Sequence, residues 1–311
     1  MTAVYIDRPV PLGFDDLFEG RLTMVGPEPE ALADAEAVLA GASIWDGPRM
    51  DQGPKVKIIS RTGIGYDTVD LDAATERGIV VCNAPESPTI STAEHAMSLM
   101  LHSTKSLAAN QRRLRQHDGD YYAANEGIEL AGRTLGVIGY GRIGRRVVKA
   151  ARGLEMETIA CDPYIEAASL SPEQAVELVT LDELFARADV VSVHCPLTEE
   201  TRGLMNAEAF AAMRPGVAFV NTARGGIVDQ DALVDALDRG HVAFAGLDVT
   251  VPEPFPMEHP LQGRENVIIT PHIASATDRG RRRMYSHAID NVMTCLSGER
   301  VPNCVNPEVY S

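Results

Sequence analysis

A chain of 311 residues is too long for one ordinary hydrophobic core, which favours two domains. Its composition is globular, 45% hydrophobic and 23% charged, with no low-complexity tract or tandem repeat. Against 44 acidic side chains stand 28 basic ones, and the formal charge of −16 argues against a general nucleic-acid binder but not against a small anion held by a local arginine.

The opening MTAVYIDRPVPLGFDD lacks the basic start and apolar stretch of a signal peptide. No later apolar run reaches the ~20 residues of a membrane span. Within the first hundred residues TAVYI reads as a strand and EALADAEAVLA as a helix; VKIIS (strand), LDAATERG (helix) and IVVCNA (strand) follow. Strands separated by helices indicate a parallel sheet covered on both faces. A long helix is expected from about 91 to 116. It reads as an interdomain spine, and its basic end QRRLRQ suits the helix dipole.

A second alternation starts at RTLGVIGYG, with strands expected at 134–140, 158–161, 190–194, 217–221, 242–249 and 267–270 and helices between most of them. Gly78, Gly153 and Gly240 stand at helix ends, where only glycine enters the left-handed cap conformation cheaply. The last helix, roughly 278–296, would carry the chain back to the first block. Five scattered cysteines (Cys82, Cys161, Cys195, Cys295, Cys304), none in CxxC spacing, read as reduced thiols of a cytoplasmic protein with no zinc site.

TLGVIGYGRIGRRVVKAA holds Gly139, Gly141 and Gly144 in G-x-G-x-x-G spacing, between a strand and a helix. In that setting the first glycine allows the tight turn, the second a close approach of backbone to a pyrophosphate, and the third helix–strand packing. The helix start at Arg142, Ile143 and Gly144 offers N–H groups to phosphates. An acidic residue is expected about 20 positions further on, at the next strand end, and TIACDPY supplies Asp162. A carboxylate there accepts from a ribose diol and repels a 2′-phosphate, which favours NAD over NADP. A tight turn without a ligand is the plain alternative.

With a dinucleotide so placed, the later strand ends would border the nicotinamide. His194, Cys195, Pro196 and Thr201 lie at or just beyond the end of one strand; Thr222, Ala223 and Arg224 of another; Asp248 and Glu253 of a third; His272 of a fourth. A guanidinium can bind the carboxylate of a 2-oxo acid and polarise its carbonyl. A histidine can exchange the proton, and a carboxylate can orient it. Each residue also has an ordinary reading: Arg224 as a solvated loop residue, His272 as a bonded core histidine, Glu253 as an exposed loop carboxylate. Cys195 reads as a packing residue, since no base is evident beside it.

At these residues the chain resembles the D-isomer-specific 2-hydroxyacid dehydrogenase family, in its phosphoglycerate-dehydrogenase-like branch. Matching stretches include RTGIGYDTVDLDAATERGIVVCNAP, STAEHAMSLML, HCPLTEETRGLMN, NTARGGIVD, GLDVTVPEP and TPHIASAT, in the family order. The resemblance implies two doubly wound α/β domains, a Rossmann NAD domain (104–283) inserted into a flavodoxin-like substrate domain (1–103 and 284–311), with the active site in the cleft. It implies Arg224 as the substrate arginine, His272 as acid/base and Glu253 as its partner. Asp248 would lie on the nicotinamide side, and the N–H groups of Ile64 and Gly65 would meet the substrate carboxylate. A plain strand-end turn is the other reading of Gly63–Gly65. The resemblance further implies a homodimer joined through the NAD domains and a small 2-oxo or (R)-2-hydroxy acid such as glyoxylate, hydroxypyruvate or 3-phosphoglycerate.

There are departures from the family pattern. The length leaves no room for the regulatory domain that some phosphoglycerate dehydrogenases carry. GDYYAANEG stands where many relatives have tryptophan, so an aromatic substrate contact would fall to Tyr121 or Tyr122. Arg61, beside the Gly63–Gly65 turn, would serve either as a second anion site or as a solvated charge. Formate or phosphite oxidation is a weaker enzyme alternative. Outside enzymes, the alternative is a dinucleotide-sensing binding protein of the corepressor type, disfavoured by the lack of an evident interaction tail before Met1–Asp7 or after Val305.

Overall fold

The structure, a computed structural model, describes residues 2–117, 119–120, 122–125 and 127–311. In chain order these form β1 (Thr2–Ile6), β2 (Leu22–Val25), β3 (Ala37–Ala40), α1 (Gly47–Met50), β4 (Ile58–Arg61), α2 (Leu71–Glu76) and β5 (Val80–Cys82). Next come α3 (Thr89–Thr104), α4 (Leu107–Gln116), β6 (Thr134–Ile138), α5 (Arg142–Arg152), β7 (Glu157–Cys161) and β8 (Glu177–Leu178). The chain continues through α6 (Leu181–Arg187), β9 (Val190–Val193), α7 (Ala207–Ala212), β10 (Val217–Asn221) and α8 (Gln230–Asp238). It ends with β11 (Val242–Leu247), β12 (Val267–Ile269) and α9 (Asp278–Leu296).

Two compact units result, Met1–Pro88 with Ala276–Ser311 and Thr89–Ser275. These bounds differ from the expected divisions at 103/104 and 283/284. Helix α3 packs on α5, β10, β11 and β12 and so goes with the second unit, while α9 packs on β3, β4 and β5 and goes whole with the first.

The first unit is a parallel sheet in the order β2-β1-β3-β4-β5, the flavodoxin-like arrangement. Successive side chains alternate between its faces. Val4, Leu39, Ile58 and Cys82 pack with Tyr285, Ala288, Ile289 and Val292 of α9. On the other face Tyr5, Val38, Ile59 and Val81 pack with Leu32, Trp45 and Met50. The stretch expected as one helix, EALADAEAVLA, divides instead into a 3-10 turn (Pro29–Asp34) and strand β3. All four β3 residues are buried between β1 and β4. An apolar run so short fits helix or strand equally by pattern, and central pairing decides it. Strand β2, half exposed and at the sheet edge, carries no such pattern.

The second unit is a parallel sheet in the order β12-β11-β10-β9-β6-β7-β8, the Rossmann arrangement extended by one strand. Val191, Val193, Phe219 and Leu247 pack with Leu184, Phe210 and Leu233 of α6, α7 and α8. On the opposite face Leu135, Val137, Ala218 and Val220 meet Ala96 and Met100 of α3 and Val147, Val148 and Ala151 of α5. The expected continuous helix over 91–116 is broken at Ser106, whose φ of 53° is left-handed and separates α3 from α4. Gly78 and Gly240 take the left-handed cap with φ of 67°. Gly153 stays right-handed at −66°, and Glu155 adopts the left-handed conformation instead. Among the described residues no helix is long and apolar enough to cross a membrane, and no cluster of side chains could hold a metal ion.

Candidate functional site

The first feature of the second unit is the turn from β6 into α5. Gly139 has φ of 91°, and a Cβ there would lie 2.5 Å from the Cys195 nitrogen. A Cβ on Gly144 would collide with the Gly139 carbonyl oxygen. Both positions therefore need glycine for the fold itself. Gly141 is different: a Cβ there would meet no atom within 4 Å. As N-cap of α5 it provides no side-chain cap, so the first-turn N–H groups, at Arg142, Ile143 and Gly144, have no intrahelical acceptor and favour an anion.

Asp162 follows β7 beside this turn. Its Oδ2 accepts from the Tyr140 N–H at 2.8 Å and its Oδ1 from the Tyr164 N–H at 3.0 Å. The carboxylate is thereby fixed against the glycine turn, and each oxygen keeps a lone pair for a diol. After β9, the His194 N–H donates to the Ile138 carbonyl at 2.7 Å and its Nε2 lies 2.8 Å from Ser192 Oγ. Burial pushes the imidazole down to about 4, so it is neutral at ordinary pH. Burial also pushes the Cys195 thiol up to about 11, which agrees with a packing role and not a nucleophile. Thr201 Oγ1 donates to the Pro196 carbonyl at 2.6 Å and pins the loop between them.

Strand β10 ends in Asn221, fully buried, whose side chain shapes the next turn. Its Oδ1 accepts from the Ala223 N–H and its Nδ2 donates to the Arg224 carbonyl, both at 2.9 Å. Arg224 Nη1 in turn donates to the Ala223 carbonyl at 2.7 Å. A Cβ on Gly225 would overlap the Thr250 carbonyl, so the glycine lets two strand-end loops touch. Thr222 Oγ1 is buried without a hydrogen-bond partner among the described residues. A hydroxyl so placed invites a polar ligand.

Glu253 and His272 come together: Glu253 Oε2 lies 2.9 Å from His272 Nδ1, and Glu253 Oε1 accepts from the Thr250 N–H at 3.2 Å. Burial works against the Glu253 carboxylate, but the His272 bond and charge outweigh it and hold it below its ordinary range. His272 Nε2, across the ring, has no partner among the described residues. Gln230 braces the loop before Glu253: its Nε2 donates to the Val251 carbonyl at 2.6 Å and its Oε1 accepts from the Val251 N–H at 2.9 Å.

Asp248 is 1% exposed. Its Oδ1 accepts from Thr270 Oγ1 at 2.6 Å and from the Ile273 N–H at 2.9 Å, and its Oδ2 from the Ala274 N–H at 2.8 Å. His95 Nε2 approaches Oδ1 at 3.3 Å. The carboxylate expected on the nicotinamide side is thus engaged with the backbone around His272. Sequence reasoning passed over Asn221, Gln230, His95 and Thr270. Their only signal was a polar residue inside or just beyond an apolar run.

Ile64 and Gly65 lie in the first unit. Their carbonyls accept from Asn83 Nδ2 at 2.7 Å and Arg61 Nε at 2.9 Å, while their N–H groups have no partner among the described residues. Arg61 is buried, 8% exposed, and not a solvated charge. Tyr122 is fully open at 93% exposure; Tyr121 lies outside the described residues.

The sheet order, the open Gly141 cradle at a helix start without a side-chain cap, and the Thr222 hydroxyl are features of a dinucleotide-binding α/β protein. The family model for the NAD binding domain of D-isomer specific 2-hydroxyacid dehydrogenases matches residues 97–274. The chain belongs to that family, and NAD is its cofactor. D-3-phosphoglycerate dehydrogenase from Mycobacterium bovis is 42% identical over 277 residues, 89% of this chain and 52% of the relative. The chain therefore spans about half the length of that relative. Glyoxylate reductase from Korarchaeum cryptofilum is 39% identical over 269 residues, 85% of this chain and 80% of the relative. Among solved structures, the TT0316 protein from Thermus thermophilus matches with a TM-score of 0.88 at 37% identity, covering 98% of this chain and 100% of that one.

Proposed function

We propose that the protein is an NAD-dependent oxidoreductase that interconverts a small 2-oxo acid and the (R)-2-hydroxy acid. The observation that carries this reading is the Glu253–His272 bond of 2.9 Å, which engages one ring nitrogen and leaves the other open. Bound NADH supplies the hydride. The charged imidazole donates from Nδ1 to Glu253 and from Nε2 to the substrate carbonyl oxygen. When Nε2 gives up its proton, the neutral ring keeps Nδ1–H on Glu253 and so stays oriented for the reverse step. Arg224, presented by the Asn221-braced turn, holds the substrate carboxylate with its planar fork. Gly141, the start of α5 and Asp162 hold the pyrophosphate and ribose, with Thr222 and the backbone around Cys195 toward the nicotinamide.

The relatives' names put glyoxylate and 3-phosphoglycerate first among the acids to try, with hydroxypyruvate beside them. A homodimer through the second unit and a cytoplasmic location complete the proposal. NADH oxidation by the purified protein against a panel of 2-oxo acids tests the activity, and light scattering tests the dimer. Tight NADH binding with no turnover on any acid would remove the dehydrogenase reading.

A further inference from the structure

His272 has φ of 53°, a left-handed conformation that costs a non-glycine residue roughly 1–2 kcal/mol unless its surroundings enforce it. Asp248 enforces it. Three consecutive N–H groups end on this one residue: His272 on its carbonyl at 2.8 Å, Ile273 on Oδ1 at 2.9 Å and Ala274 on Oδ2 at 2.8 Å. A buried carboxylate can do this only when its remaining acceptor sites are used, because an unsatisfied buried charge is strongly unfavourable. Thr270 Oγ1 gives its proton to Oδ1 at 2.6 Å. The next group is His95 of α3, whose Nε2 lies 3.0 Å from Thr270 Oγ1 and 3.3 Å from Asp248 Oδ1. Both oxygens are acceptors toward it, which assigns the proton to Nε2 and makes the ring a donor shared between them.

We propose that His95 is a positioning residue for His272, acting through Thr270 and Asp248 to fix the left-handed turn that holds the imidazole against Glu253. The assignment of its catalytic consequence rests on the dehydrogenase reading above; the structural part does not. His95 completes the set of donors that keep the Asp248 carboxylate charged while buried. Losing it leaves Thr270 Oγ1 and Asp248 Oδ1 short of a donor and weakens the anchor that residues 272–274 share. The turn then samples the ordinary right-handed backbone, in which Nδ1 no longer meets Glu253.

The test compares His95→Leu, which removes the donor, with His95→Gln, which keeps an N–H. Thr270→Val interrupts the same relay and provides a second route should the leucine variant fold poorly. NMR-detected hydrogen exchange is expected to speed up about tenfold at the Ile273 and Ala274 amides in His95→Leu, with the β6 amides unchanged and the glutamine variant restored. Turnover of the 2-oxo acid is expected to fall about tenfold in kcat, with NADH affinity within about twofold of the parent. Unchanged exchange at 273 and 274, or acceleration equally spread over the unit, would overturn the role. So would altered exchange with unaltered kcat in an active parent enzyme. A parent protein without dehydrogenase turnover would defeat the dehydrogenase reading alone, since the exchange measurement does not depend on it.

Discussion

Two glycines of one motif should fail in opposite ways when given a methyl group. At Gly139 an alanine must hold φ near 91°, which costs about 1–2 kcal/mol. Its Cβ would also lie 2.5 Å from the Cys195 nitrogen, 2.7 Å from the His194 carbonyl carbon and 2.8 Å from the Cys195 Cα. These are backbone atoms at the end of a central strand, so relief requires moving β9 against β6, an overpacking cost of about 1–3 kcal/mol. Gly139→Ala should therefore lose about 2–5 kcal/mol, a large share of ordinary domain stability. At Gly141 the backbone sits at φ −75°, ψ −159°, open to any residue, and the added methyl meets nothing within 4 Å. Gly141→Ala should keep or slightly raise stability, by up to about 1 kcal/mol through the unfolded chain. It should instead weaken NADH binding by about tenfold or more, because the methyl takes the space where backbone approaches the pyrophosphate. Urea unfolding followed by circular dichroism measures the first effect, and fluorescence titration with NADH the second. An unchanged NADH affinity in Gly141→Ala would take the dinucleotide away from this turn. A parental urea midpoint in Gly139→Ala would show that β9 yields far more easily than sheet packing allows.

Arg224→Lys keeps the charge but loses the two-pronged fork, so kcat/KM for the 2-oxo acid should fall by about a hundredfold with NADH binding retained; parental kinetics would exclude Arg224 as the substrate arginine. The folded His194 imidazole stays neutral down to about 4, whereas its ordinary value is 6.5. Between those values the unfolded chain binds the extra proton, so stability falls as pH drops through that window, by at most about 3 kcal/mol. His194→Gln should flatten the pH dependence of the urea midpoint there, and an unaltered slope would refute the assignment. Phe219→Ala removes a fully buried ring in edge contact with Phe210, centroids 5.4 Å apart, and should cost about 3–5 kcal/mol in the same unfolding assay.

What the sequence could reveal depended on whether a local rule applied. The glycine spacing is legible because each glycine answers a backbone requirement within six residues, and Asp162 because a strand end places it. The meeting of Glu253 and His272 was legible through topology: parallel strands deliver their following loops to one edge of the sheet. His95 was not, because one histidine on the helix STAEHAMSLML has the spacing of a packing residue. Its partners stand more than a hundred positions away. Asn221 looked like the ordinary polar end of an apolar strand, and only the paired hydrogen bonds to Ala223 and Arg224 reveal its work. Strand β3 was misread as helix for a different reason. Its four apolar residues carry no period, and only pairing with β1 and β4 distinguishes the two.

The placement of α9 sets a schedule for synthesis. The face of the first sheet made by Val4, Leu39, Ile58 and Cys82 is covered by Tyr285, Ala288, Ile289 and Val292, which belong to a helix translated only after the whole of Thr89–Ser275. At about 5–20 residues per second, that intervening stretch keeps the ribosome occupied for roughly 10–40 s. Throughout that interval the early sheet has one apolar face without its cover, and at its end, before α9 is made, the inserted unit already possesses all of its own strands and helices. The later-encoded unit is therefore the first able to finish folding, and the nascent amino-terminal sheet is the part of this chain that most needs a holdase.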